Sequence, residues 1–329
     1  MQAANPMANE NEARRKNSIS LDCFFLIGAL LARISGDDEL YWREFMTFLH
    51  HIKLCNEHDL SRFWALKVSG KRIGWIKDSL HQSFADFSEY VSYRKSEFFI
   101  DSSLNTNALR GAAMNRLGQA LYEQGLTNPP LNEFYSVGYR FGQSFFDLNR
   151  AYVAAFGARA YGIHLTGYVR KFGKIFVWVP RRASDRVVYP GKWDNTVAGG
   201  QPAGISLQEN LAKECAEEAN IGPAYVAHAK PVGTISYRYE VEYGLRDDLI
   251  FAYDLELPSD FQPTNTDGEV EDFQLWPVEE VMEVVASGDD FKFNCNLVLI
   301  DFFIRHGLLT KTHHDIDELC RELYRTDYR

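Results

Sequence analysis

The stretch Gly199–Ile221, GGQPAGISLQENLAKECAEEANI, decides how the rest of the chain is read. A glycine-rich turn runs into a predicted helix that carries Glu214, Glu217 and Glu218. At roughly 100° per residue, these carboxylates fall within about 100° of arc on one helix face. Leu211, Cys215 and Ala219 recur every four residues on the neighbouring face and can pack on a core. Like charges at this spacing repel by roughly a few tenths of a kcal/mol each. Keeping them beside an apolar stripe points to a bound cation, and oxygen-only ligands on a rigid helix suit Mg²⁺ or Mn²⁺. The plainer alternative is a solvated acidic helix.

Composition bounds the rest. A chain of 329 residues suits two domains, each able to bury its own core. Apolar residues at 46% and charged residues at 24% are those of a globular protein, not a disordered one. A formal charge of −10 argues against a nucleic-acid backbone or an anionic membrane as partner. It leaves a phosphorylated small molecule open, because bound cations can invert the sign of one cleft. The five cysteines (Cys23, Cys55, Cys215, Cys295, Cys320) are odd in number and scattered, with no C-x-x-C pair. That pattern argues against a disulfide scaffold or a zinc site and for a reducing, cytoplasmic setting. The apolar run Leu21–Ile34 is too short to span a bilayer. It follows the basic cluster Arg14-Arg15-Lys16 as a secretory signal would, but lacks a small-x-small cleavage site.

Four segments are expected: a leader over 1–40, disordered or partly helical, an α+β domain over 41–158, a second domain over 159–310, and a tail over 311–329. In the first domain, Trp42 to Ile52 has helical spacing and Phe63–Ile76 reads as a hairpin around Ser69-Gly70. Thr106–Gln124 reads as a helix with Leu109, Ala113, Leu117 and Leu121 along one side, and Arg150–Phe156 as a short helix. In the second, strands are expected at Tyr161–Arg170, Lys174–Val179, Val232–Tyr243, Leu249–Leu257 and Phe273–Trp276. Helices are expected at Val278–Ser287 and Phe291–His306. Strands and helices interleave without a regular βα repeat, so the fold class is α+β with a mixed sheet between helices.

The stretch that opens this section resembles the signature of the Nudix hydrolases, G-x5-E-x7-R-E-U-x-E-E-x-G-U, in which U is aliphatic. Gly199 falls on the first glycine, Glu214 on the central glutamate, and Glu217 and Glu218 on the E-E pair. Ile205, Lys213, Cys215 and Asn220 depart from the pattern. Beyond this box, the chain is similar to the Nudix subfamily that hydrolyses thiamine diphosphate and its oxo and oxy analogues and carries an extra N-terminal domain. The similarity lies in FLHHIKLCN from Phe48, GIHLTGY from Gly162, DNTVAGG from Asp194, LRDDL from Leu245, DGEV from Asp267 and FKFNCNLVLIDF from Phe291. The resemblance implies an α/β/α sandwich preceded by a smaller α+β domain. It also implies a hydrolase of phosphorus-containing acid anhydrides that takes a small-molecule diphosphate; a homodimer is compatible with it.

The resemblance further implies that Glu214, Glu217 and Glu218 hold Mg²⁺ or Mn²⁺, helped by a backbone carbonyl near Gly199. Lys213 stands where the family keeps an arginine that orients the central glutamate, but lacks its bidentate fork. Glu209, four residues earlier, is placed to tether Lys213. Glu269 lies in the loop where such enzymes keep another acidic ligand or base. Arg246, with Asp247 and Asp248, is placed to meet a diphosphate or a ring, or else to sit in an exposed turn. His164, on an apolar strand, reads as a core histidine. A cationic thiazolium would favour aromatic faces and carboxylates, and Trp193, Tyr237, Tyr239, Tyr243 and Trp276 are the aromatic candidates. Three alternatives remain at this stage: a binding module of the same fold without turnover, a diphosphatase of another nucleoside or isoprenoid diphosphate, and an isopentenyl-diphosphate isomerase.

Overall fold

The computed structural model describes residues 48–309 and 313–325, which belong to one compact unit. The leader expected over 1–40, with its apolar run, lies outside the described residues. A helix, α1, covers 48–54. The hairpin strands follow at β1 (Phe63–Val68) and β2 (Lys71–Lys77), then α2 (His81–Ala85), β3 (Val91–Arg94) and β4 (Glu97–Ile100). These strands form a sheet in the order β2-β1-β4-β3, in which β1 and β4 run parallel. Ser69 and Gly70 both take positive φ at the β1–β2 turn, where glycine costs nothing sterically.

Helix α3 (Asn107–Glu123) starts on the Thr106 side chain, which accepts the Leu109 N–H, and stops before Gly125 at φ +74°. Ala113, Met114, Leu117, Gly118 and Leu121 are its buried face, whereas Leu109 is exposed. The apolar stripe is thus rotated from the one expected. The two-stranded sheet of β5 (Phe134–Arg140) and β6 (Gln143–Asn149) packs beside α3, and Asn115 fastens the two by receiving the Asn149 N–H at 2.8 Å. The short helix expected from Arg150 is a 3₁₀ turn, Arg150–Tyr152.

The second half is built on long strands: β7 (Arg159–Lys171), β8 (Lys174–Arg182), β9 (Val197–Gly200), β10 (Lys230–Val241), β11 (Gly244–Glu256) and β12 (Val270–Pro277). The order is β10-β11-β7-β8-β12, with β9 added to β7. Only the β11–β7 pair is parallel among these pairings, so the sheet is mixed as expected. Helix α4 (Leu207–Ala219) is the acidic helix, followed by the short α5 (Pro223–Val226). Later come α6 (Val278–Ser287), α7 (Cys295–Arg305) and α8 (His313–Leu323). Leu211, Cys215 and Ala219 share a buried cluster with Ile163, Leu165 and Leu255 of the sheet. On the alternate residues of β7, Tyr168 meets Phe302 of α7. Period-two alternation therefore puts α4 and α7 on opposite faces, giving an α/β/α sandwich.

The halves are closely joined. His51 of α1 pairs with the Val285 carbonyl at 2.8 Å, and Phe48 packs on Phe303. The Lys77 ammonium donates to the Val241 and Glu242 carbonyls and pairs with Glu240. Leu245 N–H binds the Ala154 carbonyl, and a Cβ on Gly244 would lie 1.9 Å from that oxygen. Within the segment 311–329, α8 docks through buried Leu319 and Leu323.

Candidate active site

Helix α4 begins at Ser206, whose side chain accepts the Glu209 N–H while Glu209 accepts the Ser206 N–H. This capping box occupies Glu209, which therefore does not tether Lys213. Lys213 instead bridges Glu214 at 3.1 Å and Glu217 at 2.8 Å. Asn220, in the left-handed conformation, ends the helix. Thr264 and Thr266 then clasp its last turn, with their N–H groups on the Ala219 and Glu217 carbonyls. That clasp sets the loop carrying Glu269.

The carboxylates of α4 meet strand β9. Glu218 is buried, and its Oε2 accepts the Ala198 N–H at 2.8 Å. Burial pushes its carboxyl well above the usual range, with the Ala198 amide and Lys292 in partial opposition. Glu214 presses on Gly199 so closely that a Cβ there would lie 2.4 Å from its Cδ. Its carboxyl is raised as well, chiefly by burial, although Lys213 opposes the shift. Glu217 is half exposed. Among the described residues, no three carboxylate, imidazole or thiol side chains already converge on one point. Glu214, Glu217 and Glu218 nonetheless fit a hard divalent cation. All donors are oxygen, and two are desolvated carboxylates on one helix face that favour added positive charge.

The other side of β9 faces a cavity of about 490 Å³, lined by Ala198, Gly199 and Gly200 together with parts of β7, β10, β11 and the N-terminal half. Five basic side chains (Arg150, Arg182, Arg186, Arg246, Lys292) and three acidic ones (Asp185, Asp248, Glu269) line it, a cationic balance in a chain of formal charge −10. Glu269 pairs with Arg186 at 2.8 Å on this wall. Arg246 lies within a strand, not in an exposed turn, and has solvent access along the cavity.

Strand alternation divides the Arg246-Asp247-Asp248 run. Arg246 and Asp248 line the cavity, opposite Tyr239 and Tyr237 in the β10–β11 register. Asp247 points away and is held by Arg159 and Arg238, each at 2.9 Å. Burial raises the Asp248 carboxyl, against the pull of Arg246 and of the Tyr237 hydrogen bond. Tyr189 and Phe293 complete an aromatic wall with Tyr239, the ring centroids lying 5.8 and 4.9 Å from that of Phe293. Trp193 and Trp276 are not part of it: they pack on each other at 4.7 Å. Tyr243 also lies outside the lining.

His164 is buried, pairs with Asn195 Oδ1 at 2.6 Å and reaches the cavity wall. Burial first, then Lys292, lowers its pKa to about 4, so the ring is neutral at pH 7. Asp194 is buried between Arg182 at 2.9 Å and Lys292 at 3.3 Å, and it accepts from Cys295 Sγ. Burial works against its charge, but Lys292 and Arg182 outweigh it and bring the carboxyl down to about 2. Sequence reasoning passed over Asp194, Tyr135, Arg150 and Lys292 as site residues. Asp194 and Lys292 lay within quoted stretches, whereas Tyr135 and Arg150 carry no local signal.

Known families and relatives match this sequence over most of its length. The family description "NUDIX domain" matches residues 163–296, and "Domain of unknown function (DUF4743)" matches residues 47–160. Nudix hydrolase 24, chloroplastic, of Arabidopsis thaliana is 37% identical over 285 residues, covering 85% of this chain and 78% of the relative. Nudix hydrolase 20, chloroplastic, of the same plant is 35% identical over 292 residues, with the same coverage of 85% and 78%. Among solved structures, the Nudix domain of Shewanella oneidensis NrtR complexed with ADP ribose is 17% identical, with a TM-score of 0.37. It covers 47% of this chain and 91% of that one. Relatedness over most of both chains, with an acidic helix fastened to a glycine strand, places the chain in the Nudix hydrolase family, enzymes that hydrolyse pyrophosphate bonds.

Proposed function

We propose that the protein hydrolyses the diphosphate of thiamine diphosphate or of its oxo and oxy analogues, giving the monophosphate and inorganic phosphate. The observation that carries this reading is the make-up of the cavity beside β9. Arg246 stands opposite Tyr239 and Asp248 opposite Tyr237, so the lining sets basic side chains and a carboxylate beside aromatic rings. A diphosphate suits the basic side chains, and a cationic heterocycle suits aromatic faces beside a carboxylate. The resemblance of the chain to the thiamine diphosphate subfamily supports the same choice.

In this reading Glu214, Glu217 and Glu218 hold Mg²⁺ or Mn²⁺, with a carbonyl near Gly199. Such a cation neutralises charge on the departing phosphate and makes water a better nucleophile. The chain's own residues do the rest. Gly199 and Gly200 border the cavity, and their missing side chains make room for Glu214 and for the Tyr135 hydroxyl. Arg246 draws the anionic chain into place. Glu269, fixed by Arg186, is the carboxylate available to take a proton from the attacking water. Water adds to phosphorus, the bridging P–O bond breaks, and the leaving oxygen departs with the organic monophosphate.

A reducing, cytoplasmic location belongs to the same proposal. Cys55, Cys215 and Cys295 are buried and unbridged. Among the described residues, no helix is long and apolar enough to cross a membrane.

The test compares kcat/KM for oxythiamine diphosphate, thiamine diphosphate, ADP-ribose and a nucleoside triphosphate at one Mg²⁺ concentration. The thiamine compounds are expected to lead. A lead of about tenfold or more for ADP-ribose or the triphosphate would replace the substrate while leaving the diphosphatase.

A further inference from the structure

We propose that the N-terminal domain completes the catalytic site: it supplies Arg150, a second guanidinium that joins Arg246 in holding the substrate's diphosphate. The inference rests on the reading of the cavity given above and deepens it by assigning a part in catalysis to the domain over residues 47–160.

The contact between this domain and the glycine strand is built into the backbone. Phe134 of β5 offers its carbonyl to the Ala203 N–H at 2.8 Å, just beyond the glycines. The next residue, Tyr135, is buried with its hydroxyl against Gly200. A Cβ at 200 would lie 1.8 Å from that oxygen. The hairpin thus reaches the strand that borders the α4 carboxylates through the Tyr135 side chain.

Arg150 stands at the end of the same hairpin. Its backbone N–H binds the Glu133 carbonyl at 3.0 Å, and its guanidinium pairs with Glu133 at 2.6 Å. The guanidinium also lies 5.8 Å from the Tyr135 ring centroid. These contacts aim a side chain that is still 49% exposed, and the space it borders is the cavity. Arg246, on the same cavity, has no hydrogen bond or ion pair among the described residues, although Asp248 lies near. The Arg150 and Arg246 charges are close enough to oppose one another.

Two guanidiniums are brought together by separate domains, Arg150 with Glu133 as its ion-pair partner and Arg246 near Asp248. The cavity lining carries five basic and three acidic side chains, so an anionic ligand is drawn to it. A diphosphate offers several acceptor oxygens and more than one negative charge, and the guanidinium fork matches them in pairs. If Arg150 served only to fix Glu133, it would not need to face the cavity or share it with Arg246.

The test uses the full chain and magnesium imidodiphosphate, a diphosphate that resists hydrolysis, with affinity read by calorimetry and KM by steady-state turnover. Arg150→Ala is expected to weaken affinity and raise KM by about tenfold or more, with the melting temperature held. Arg150→Lys keeps the charge but loses the fork, so it should lose several-fold and recover part of the Ala defect. Arg116→Ala, exposed on α3 of the same domain, should bind and turn over as the parent does. Parent-like affinity and KM in Arg150→Ala overturn the inference. If that variant does not fold, parent-like affinity in Arg150→Lys overturns it equally. If the parent cleaves diphosphates and Arg150→Ala changes only its melting temperature, this inference fails and the diphosphatase reading stands. If the parent neither binds the probe nor cleaves any diphosphate, both fail.

Discussion

The Glu218 carboxylate accepts the Ala198 backbone N–H at 2.8 Å, which fastens the last turn of the acidic helix to the strand that carries the glycines. Gln at 218 can still accept that hydrogen bond, but it brings no charge into a buried place. Glu218→Gln should therefore lower turnover by a factor on the order of 100 or more, because charge stabilisation at the reacting phosphate is weakened. The melting temperature in chelator should not fall, since Gln keeps the hydrogen bond to Ala198 and burial already disfavours the charged form of Glu218. Near-parent activity at saturating Mg²⁺ would remove Glu218 from the ligand set.

Glycine at 199 is set by Glu214. A methyl group there would come within 2.4 Å of Glu214 Cδ, so the carboxylate must swing aside. Gly199→Ala should reduce kcat by a factor on the order of 100, the usual effect of displacing a reactive group by about 1 Å. Expression and far-UV circular dichroism should match the parent, because a side chain can move where backbone cannot. A variant with unchanged kcat would show that Glu214 works from another position.

Asp194 joins three distant pieces of chain through Arg182, Lys292 and Cys295. Asp194→Asn keeps the shape but leaves two cations facing each other beneath the site. Removing one partner of a buried ion pair costs about 3 kcal/mol or more, and urea unfolding at pH 7 should show a loss of that order. A loss below about 1 kcal/mol, the scale of a surface pair, would mean that solvent screens the cluster.

His164 gives the stability a pH slope. Its folded pKa, about 4, lies below the unfolded value of 6.5, so between those limits the unfolded chain binds the extra proton. Stability therefore falls as pH drops from 6.5 towards 4, by about 2 kcal/mol between pH 7 and pH 5 from this group alone. His164→Gln should flatten the slope over that interval relative to the parent. Parallel curves for the two proteins would show that His164 is not held neutral.

The acidic helix was legible because every cue is local: a glycine-rich turn before it, an apolar residue each turn, carboxylates on the adjoining face. The β7–β8 hairpin, turning at Phe172-Gly173, was legible for the same reason. Strands β3, β5 and β6 were not. In β3 only Val91 is buried, and the β5–β6 register slips at Gly138, so neither shows a clean alternation. The site divides in the same way. Glu214 and Glu218 follow from helical spacing, whereas Tyr135, Arg150 and Lys292 reach the cavity from elements far apart in sequence. Period-two reasoning applied to Leu245-Arg-Asp-Asp-Leu would have separated Asp247 from its neighbours. Nothing local distinguishes Trp193, which packs on Trp276, from Tyr239, which faces the cavity.

Asp248 offers a direct way to examine substrate choice. It lies on the cavity between Arg246 and the Tyr237 hydroxyl, and that hydroxyl is in turn held by Asn294 at 3.0 Å. A negative charge so placed attracts a cationic ring and repels additional phosphates, so it should act on discrimination more than on chemistry. Asp248→Asn keeps the size and removes the charge. Its kcat/KM for thiamine diphosphate should fall, and its kcat/KM for a nucleoside triphosphate should hold or rise. The ratio between the two should move by about tenfold, the worth of roughly 1.4 kcal/mol at one charged contact. The pH profile should show the same group: burial raises the Asp248 carboxyl above its ordinary value, so selectivity for the cationic substrate should fade as the medium turns acidic and protonates it. A ratio that stays constant between parent and variant across that range would take Asp248 out of recognition and leave the aromatic wall alone to select the ring.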